Sequence, residues 1–152
     1  MKKAPPVRIS LRKLLVAMLA VGPVAILPTP LLAALPAYNS STNTGSFVVT
    51  SGTASLATNG VNGNGSAAIT TTDRAVLVWG GGNFNIATGE VYNFQTPIGG
   101  AVLNKVGYST SGADVATISG NLTSGGRVFI LANGSIVVNG GANINTQGTF
   151  LS

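Results

Sequence analysis

Apolar and polar residues alternate in short runs along most of this chain, and Gly, Asn and Ser punctuate the runs. Alternation at a period of two puts successive side chains on opposite faces of a strand. It is clearest at Val91 to Gln95, where Tyr92 and Phe94 oppose Val91, Asn93 and Gln95, and around Ile144, which sits between Asn143 and Asn145. The pattern predicts strands at Ala75 to Trp79, Phe84 to Ile86, Val91 to Phe94, Ala101 to Val106, Val115 to Leu122, Val128 to Leu131, Ile136 to Val138 and Ala142 to Ile144. Each run is short, β-branched or aromatic, and bounded by turn residues. From Tyr38 to Thr72 the background is Ser/Thr/Asn/Gly-rich, and short apolar pieces at Phe47 to Val49, Ser55 to Ala57 and Ala67 to Ile69 predict only weak strands and turns. No stretch after the first 37 residues keeps apolar positions at i, i+3, i+4 and i+7, and a Gly inside a helix costs about 1 kcal/mol relative to Ala. The expected fold class is all-β.

The first 37 residues break this pattern. Residues 1 to 13 are basic, Leu14 to Leu27 (LLVAMLAVGPVAIL) are apolar, and Pro28 to Ala37 (PTPLLAALPA) lead into small residues. That is the layout of a cleavable secretory leader. A transmembrane helix needs about 20 apolar residues in sequence, and Gly22, Pro23, Pro28, Pro30 and Pro36 interrupt the run. The expectation is a signal peptide over 1–37 handled by the Sec translocase, with cleavage after Ala37 and with Ala33 and Ala34 as alternatives.

Placing the charges along the chain changes what the net charge of +5 means. Lys2, Lys3, Arg8, Arg12 and Lys13 all lie in the leader, whereas downstream Arg74, Lys105 and Arg127 balance Asp73, Glu90 and Asp114. Without a basic face there is no electrostatic footprint for phosphates, and no nucleic-acid partner is expected. The chain has no Cys, so neither a disulfide framework nor a thiolate metal site supports the fold. It has no His either, which removes the commonest general base and metal ligand.

Spacing of eight to ten residues between strand starts late in the chain suits sandwiches, barrels and solenoids alike. Three features favour a right-handed parallel β-helix. Turns are dense in Asn and Gly, which tolerate left-handed backbone; at the Asn133-Gly134 corner, Gly134 is a candidate for positive φ. Charge is scarce, as stacked ladders require. The run Phe150-Leu151-Ser152 has no polar cap, so the β-helix is expected to continue past Ser152.

Candidate chemistry is thin. The three carboxylates lie in separate turn-like contexts, and solvated turn roles are expected for all of them; a glycosidase would need two of them about 5–9.5 Å apart. Gly80-Gly81-Gly82 lacks the Lys-Ser/Thr of a phosphate loop and reads as a turn. Gly140 to Ile144 offers no carboxylate for a calcium-binding nonapeptide. No enzyme activity, cofactor or metal is expected.

From Asp73 to Ser152 the chain resembles the N-terminal secretion domain of filamentous-haemagglutinin-type exoproteins, the substrates of two-partner secretion. The residues that carry the likeness come in order: Val76 to Trp79, then Phe84 and Ile86, then Gly89, Val91 and Phe94 through Pro97. Leu103-Asn104-Lys105-Val106 looks like the family's LNRV strand, and Ile118 to Leu122 and Gly126 to Leu131 follow. Ala132-Asn133-Gly134-Ser135 stands where the family has an NPNG turn, and Ile136, Ile144 and Gly148 follow it. Trp79 and Phe84 are separated by four residues where the family commonly has two, and the turn lacks its Pro. The resemblance implies a parallel β-helix recognised in the periplasm of a Gram-negative bacterium by the POTRA domains of an Omp85-type outer-membrane transporter. Residues 38–72 would form N-terminal capping strands and turns, and 73–152 the secretion domain of a secreted or cell-surface adhesin. Contacts with a host-cell or polysaccharide surface would fall to downstream regions. A stand-alone secreted β-solenoid, or the front of a polysaccharide-active β-helix enzyme, are the other classes left open.

Overall fold

The computed structural model describes residues 34–61, 64–80, 82–108 and 114–152. Most of the expected leader, residues 1–33, and Gly81 of the triple glycine lie outside the described residues. The described residues are all-β, with parallel strands in sheets, and contain no helix. Among them no helix is long and apolar enough to cross a membrane.

The chain from Tyr38 to Thr71 forms more regular structure than its weak apolar pattern predicts. Two short strands, β1 (Tyr38–Asn39) and β2 (Thr44–Gly45), pair antiparallel. They are followed by β3 (Phe47–Ser51), β4 (Ala54–Val61), β5 (Asn64–Thr71) and β6 (Ala75–Trp79). β4 and β5 make an eight-residue antiparallel ladder, and β3 runs antiparallel to β6, with Phe47 opposite Trp79. Backbone pairing between these segments supplies the order that their polar side chains do not advertise.

Beyond Trp79 the strands come in triplets. The first is β7 (Asn85–Ile86), β8 (Val91–Gln95) and β9 (Ala101–Val106). Next come β10 (Ala116–Ile118), β11 (Asn121–Ser124) and β12 (Arg127–Ala132), then β13 (Ile136–Val138), β14 (Asn143–Asn145) and β15 (Gly148–Leu151). Each strand pairs in parallel with its counterpart three places on, giving the orders β13-β10-β7, β14-β11-β8-β5-β4 and β15-β12-β9-β6-β3. The antiparallel strands β3 and β4 occupy the same end of the two longer sheets. Polar β4, with Ser55, Thr58 and Asn59 exposed, suits an edge.

Because the strands pair in register, inward side chains stack in rungs. Ala67, Tyr92, Leu122 and Ile144 form one; Leu77, Asn104, Ile130 and Leu151 another; Ile86, Ile118 and Val138 a third. Most are fully buried, and a Leu or Ile so placed stabilises the fold by about 1.5–3 kcal/mol. Burial fades along the chain, to 47% exposure at Val138 and 36% at Leu151, because no described strand pairs with the far edge of the last triplet.

Two predicted elements differ in form. The single strand expected over Val115 to Leu122 is two, β10 and β11, separated by a bend at Ser119 and Gly120 whose N–H groups both donate to Ile86 O (2.7 and 3.1 Å). Gly120 permits the bend because a Cβ there would run into the carbonyl oxygens of Ala87 and Glu90. Phe84 precedes the strand in which it was expected, although its side chain is fully buried.

Candidate functional site

Three of the residues singled out for their resemblance, Trp79, Phe84 and Asn104, meet in the core. Trp79 closes β6 and is completely buried. Its ring lies 4.7 Å from that of Phe47, 5.0 Å edge-on from Phe84 and 6.3 Å from Tyr92, and Tyr38 stacks on Phe47 at 4.4 Å. The cluster gathers the only Trp, two of three Tyr and two of five Phe in the chain. Phe84 reaches it after a turn closed by Asn83 N–H donating to Gly80 O (3.2 Å), with Gly82 at φ 70°. The four-residue gap between Trp79 and Phe84 is thus the length of that turn.

Strand β9 sorts Leu103, Asn104, Lys105 and Val106 by the period of two. Asn104 and Val106 point inward and are fully buried, whereas Leu103 and Lys105 face outward. A buried amide requires partners. Asn104 Oδ1 accepts the Trp79 indole N–H at 2.9 Å, and its Nδ2 donates to Phe129 O at 3.3 Å. Asn104 therefore ties β6, β9 and β12 together. Outside, Lys105 Nζ lies 4.7 Å over the Tyr108 ring, a cation–π contact. Val76, Leu103, Phe129 and Phe150 line up along the same outer face.

Ala132, Asn133, Gly134 and Ser135 form the corner between β12 and β13. Asn133 N–H donates to Val106 O (2.9 Å), its Nδ2 to Gly107 O (3.4 Å), and Ser135 O accepts from Ala116 N–H (2.9 Å). Ile136 follows at the start of β13, opposite Ala116. The positive φ considered for Gly134 does not occur, since Gly134 is not among the left-handed residues. Gly is required there for a different reason: a Cβ would run into the Asp114 carbonyl oxygen where the two corners pass. Ile86, in β7, is fully buried and pairs with Ile118 of β10. Ala37 belongs to the folded region, bonded to Ser46.

The expectation that all three carboxylates are solvated holds only for Asp73. Its Oδ1 accepts Ala101 N–H (2.9 Å), and Arg74 approaches Oδ2 at 3.8 Å with both side chains largely exposed. Such a pair contributes little. Glu90 is fully buried, and its Oε2 accepts Ala87 N–H at 3.0 Å, so the carboxylate pins the corner ahead of β8. Asp114 is half-buried, with Oδ2 enclosed and without a hydrogen-bond partner among the described residues. The local Gly89-Glu90 sequence reads as a turn, and Gly120 packs closely against the Ala87 and Glu90 carbonyl oxygens. The Tyr92 hydroxyl, which donates to Asn85 O (2.9 Å), is pushed well above its ordinary pKa by burial and secondarily by the Glu90 charge.

Sequence reasoning missed the parts of the cluster contributed by Tyr38, Phe47 and Tyr92. The one signal available was the scarcity of aromatics, which makes two of them ahead of residue 50 worth assigning to the core. No protein-family model, curated protein or solved structure matches the chain.

Proposed function

We propose that this chain is the secretion and recognition module at the head of a haemagglutinin- or adhesin-like bacterial exoprotein. It follows the Sec route behind its leader and then passes an Omp85-type outer-membrane transporter. The observation that supports this best is the coincidence of an ordered sequence motif with a single packed unit. Trp79, Phe84 and the β9 pair Asn104 and Val106 come from three separate segments yet share one interior, and Ala132 to Ser135 bond to the end of the same β9 strand. In this reading the triplets are the first coils of a right-handed parallel β-helix, the hand that parallel crossovers overwhelmingly take.

The burial pattern bears on when recognition happens. A receptor reading Trp79, Phe84, Ile86, Asn104 or Val106 must meet them before folding, since all five are fully buried afterwards. Leu103, Lys105, Ala132 and Ile136 stay half-exposed, and the corner at Asn133, Gly134 and Ser135 stays accessible. Periplasmic POTRA domains would thus bind the unfolded chain and release it as the core closes outside the cell. Each new triplet adds a row of inward apolar side chains, so folding draws the chain forward and opposes back-sliding.

The test is binding of the chain, diluted from urea, to the POTRA domains of the organism's own exporter. Strong cross-linking to the unfolded chain, lost as tryptophan fluorescence reports burial of Trp79, is the expected result. Equal binding to the folded protein, or none to the unfolded one, would refute the proposal.

A further inference from the structure

The junction between leader and folded domain carries an inference that rests on the leader reading above. Ala33, Ala34 and Ala37 each put a small residue at the cleaved carbonyl and a Leu two places before it, namely Leu31, Leu32 and Leu35. A processing protease that reads small residues near the cut finds no full A-x-A at any of the three. The local motif does not rank them, but the fold does.

Ala37 is built into the domain. Its N–H donates to Ser46 Oγ (3.0 Å) and its carbonyl accepts Ser46 N–H (2.7 Å), so both backbone groups are committed to one residue of the next turn. Gly45 is shaped to the same contact: it sits at φ +139°, and a Cβ there would run into the Ala37 carbonyl oxygen and come within 2.9 Å of Tyr38 Cα. Pro36 is buried and Leu35 packs against the core, whereas Ala34 is exposed. A cut after Ala37 would remove Leu35 from the core and leave Ser46 without either partner. It would also place an α-ammonium on Tyr38, the residue that pairs with Gly45 and stacks on Phe47.

We infer that the leader is removed ahead of Leu35, after Ala33 or Ala34, and that Leu35-Pro36-Ala37 is the first folded segment of the mature protein. The consequence is a leader shorter than its Pro/Ala-rich tail suggests, and a domain whose first contacts form with the turn at Gly45 and Ser46.

Intact-mass measurement and N-terminal sequencing of the exported full-length protein decide the matter. A mature chain beginning at Ala34 or Leu35 is expected. One beginning at Tyr38 overturns the inference while leaving the leader reading intact, and one still beginning at Met1 overturns both. In parallel, Ala37→Glu in the full-length precursor puts a large charge at the −1 position of the later site on an exposed side chain. Processing at the wild-type position is expected; accumulation of uncut precursor would contradict the inference.

Discussion

Replacing Asn104 with Leu removes a buried amide from a rung in which its neighbours are Leu77 and Ile130. The new side chain suits that apolar rung, so packing alone predicts little loss. The cost arises from what is left behind: the Trp79 indole N–H, fully buried, loses the acceptor 2.9 Å away. An orphaned buried donor costs about 1–3 kcal/mol. The Phe129 carbonyl also loses a donor at 3.3 Å, a smaller effect because under-satisfied carbonyls are better tolerated than bare N–H groups. For a domain of this size, roughly 4 °C of Tm accompanies each kcal/mol, so Asn104→Leu should lower Tm by about 4–12 °C. The control is Trp79→Phe, which removes the donor while keeping an aromatic ring. In that background Asn104→Leu should cost far less, because the indole donor is gone and only the Phe129 carbonyl is left short. Far-UV circular dichroism of the four proteins under urea and heat gives the double-mutant cycle, and the expected coupling is about 1–3 kcal/mol. Equal losses in both backgrounds would show that the Trp79–Asn104 bond does not organise this end of the core.

Gly120→Ala, whose Cβ would strike the carbonyls of Ala87 and Glu90, and Gly134→Ala, whose Cβ would strike that of Asp114, should each lose about 1–3 kcal/mol in urea titrations. Gly140→Ala meets nothing within 4 Å and should be neutral or slightly stabilising by the same measurement. Because burial raises the Tyr92 pKa in the folded state, the unfolded chain releases that proton first. This contribution to stability is therefore intact below about pH 10, the unfolded value, and declines as pH climbs above it. Urea midpoints between pH 8 and 11 should show that decline, and Tyr92→Phe should flatten it. Glu90→Leu abolishes the acceptor for Ala87 N–H and should cost about 1–3 kcal/mol, whereas Asp73→Leu, at an exposed site, should cost much less.

The walls of this fold are legible because one physical constraint, the period of two, acts at each position. Val91 to Gln95 and Arg127 to Ala132 each alternate between interior and surface as their side chains demand. The corners are less legible, since they depend on what passes beside them. Ser119 and Gly120 are turn residues by type, but that both their N–H groups turn to Ile86 O depends on the strand stacked beside them, and Gly134 is glycine because of Asp114 twenty residues earlier. The antiparallel pairing of β4 with β5 is decided by register between polar segments, which carry little local signal, and nothing local to the apolar β3 and β6 makes their pairing antiparallel when β6 pairs in parallel with β9. Among the candidate site residues, Trp79, Phe84 and Asn104 stand out by type, but their convergence comes from the pairing of β6 with β9.

The proposed export route is tested most directly by depleting the POTRA-bearing outer-membrane transporter and locating the protein by cell fractionation and protease accessibility. The expected result is a leaderless chain trapped in the periplasm and lost from the cell surface and medium. Unchanged surface display or release in the depleted strain would contradict the proposed route.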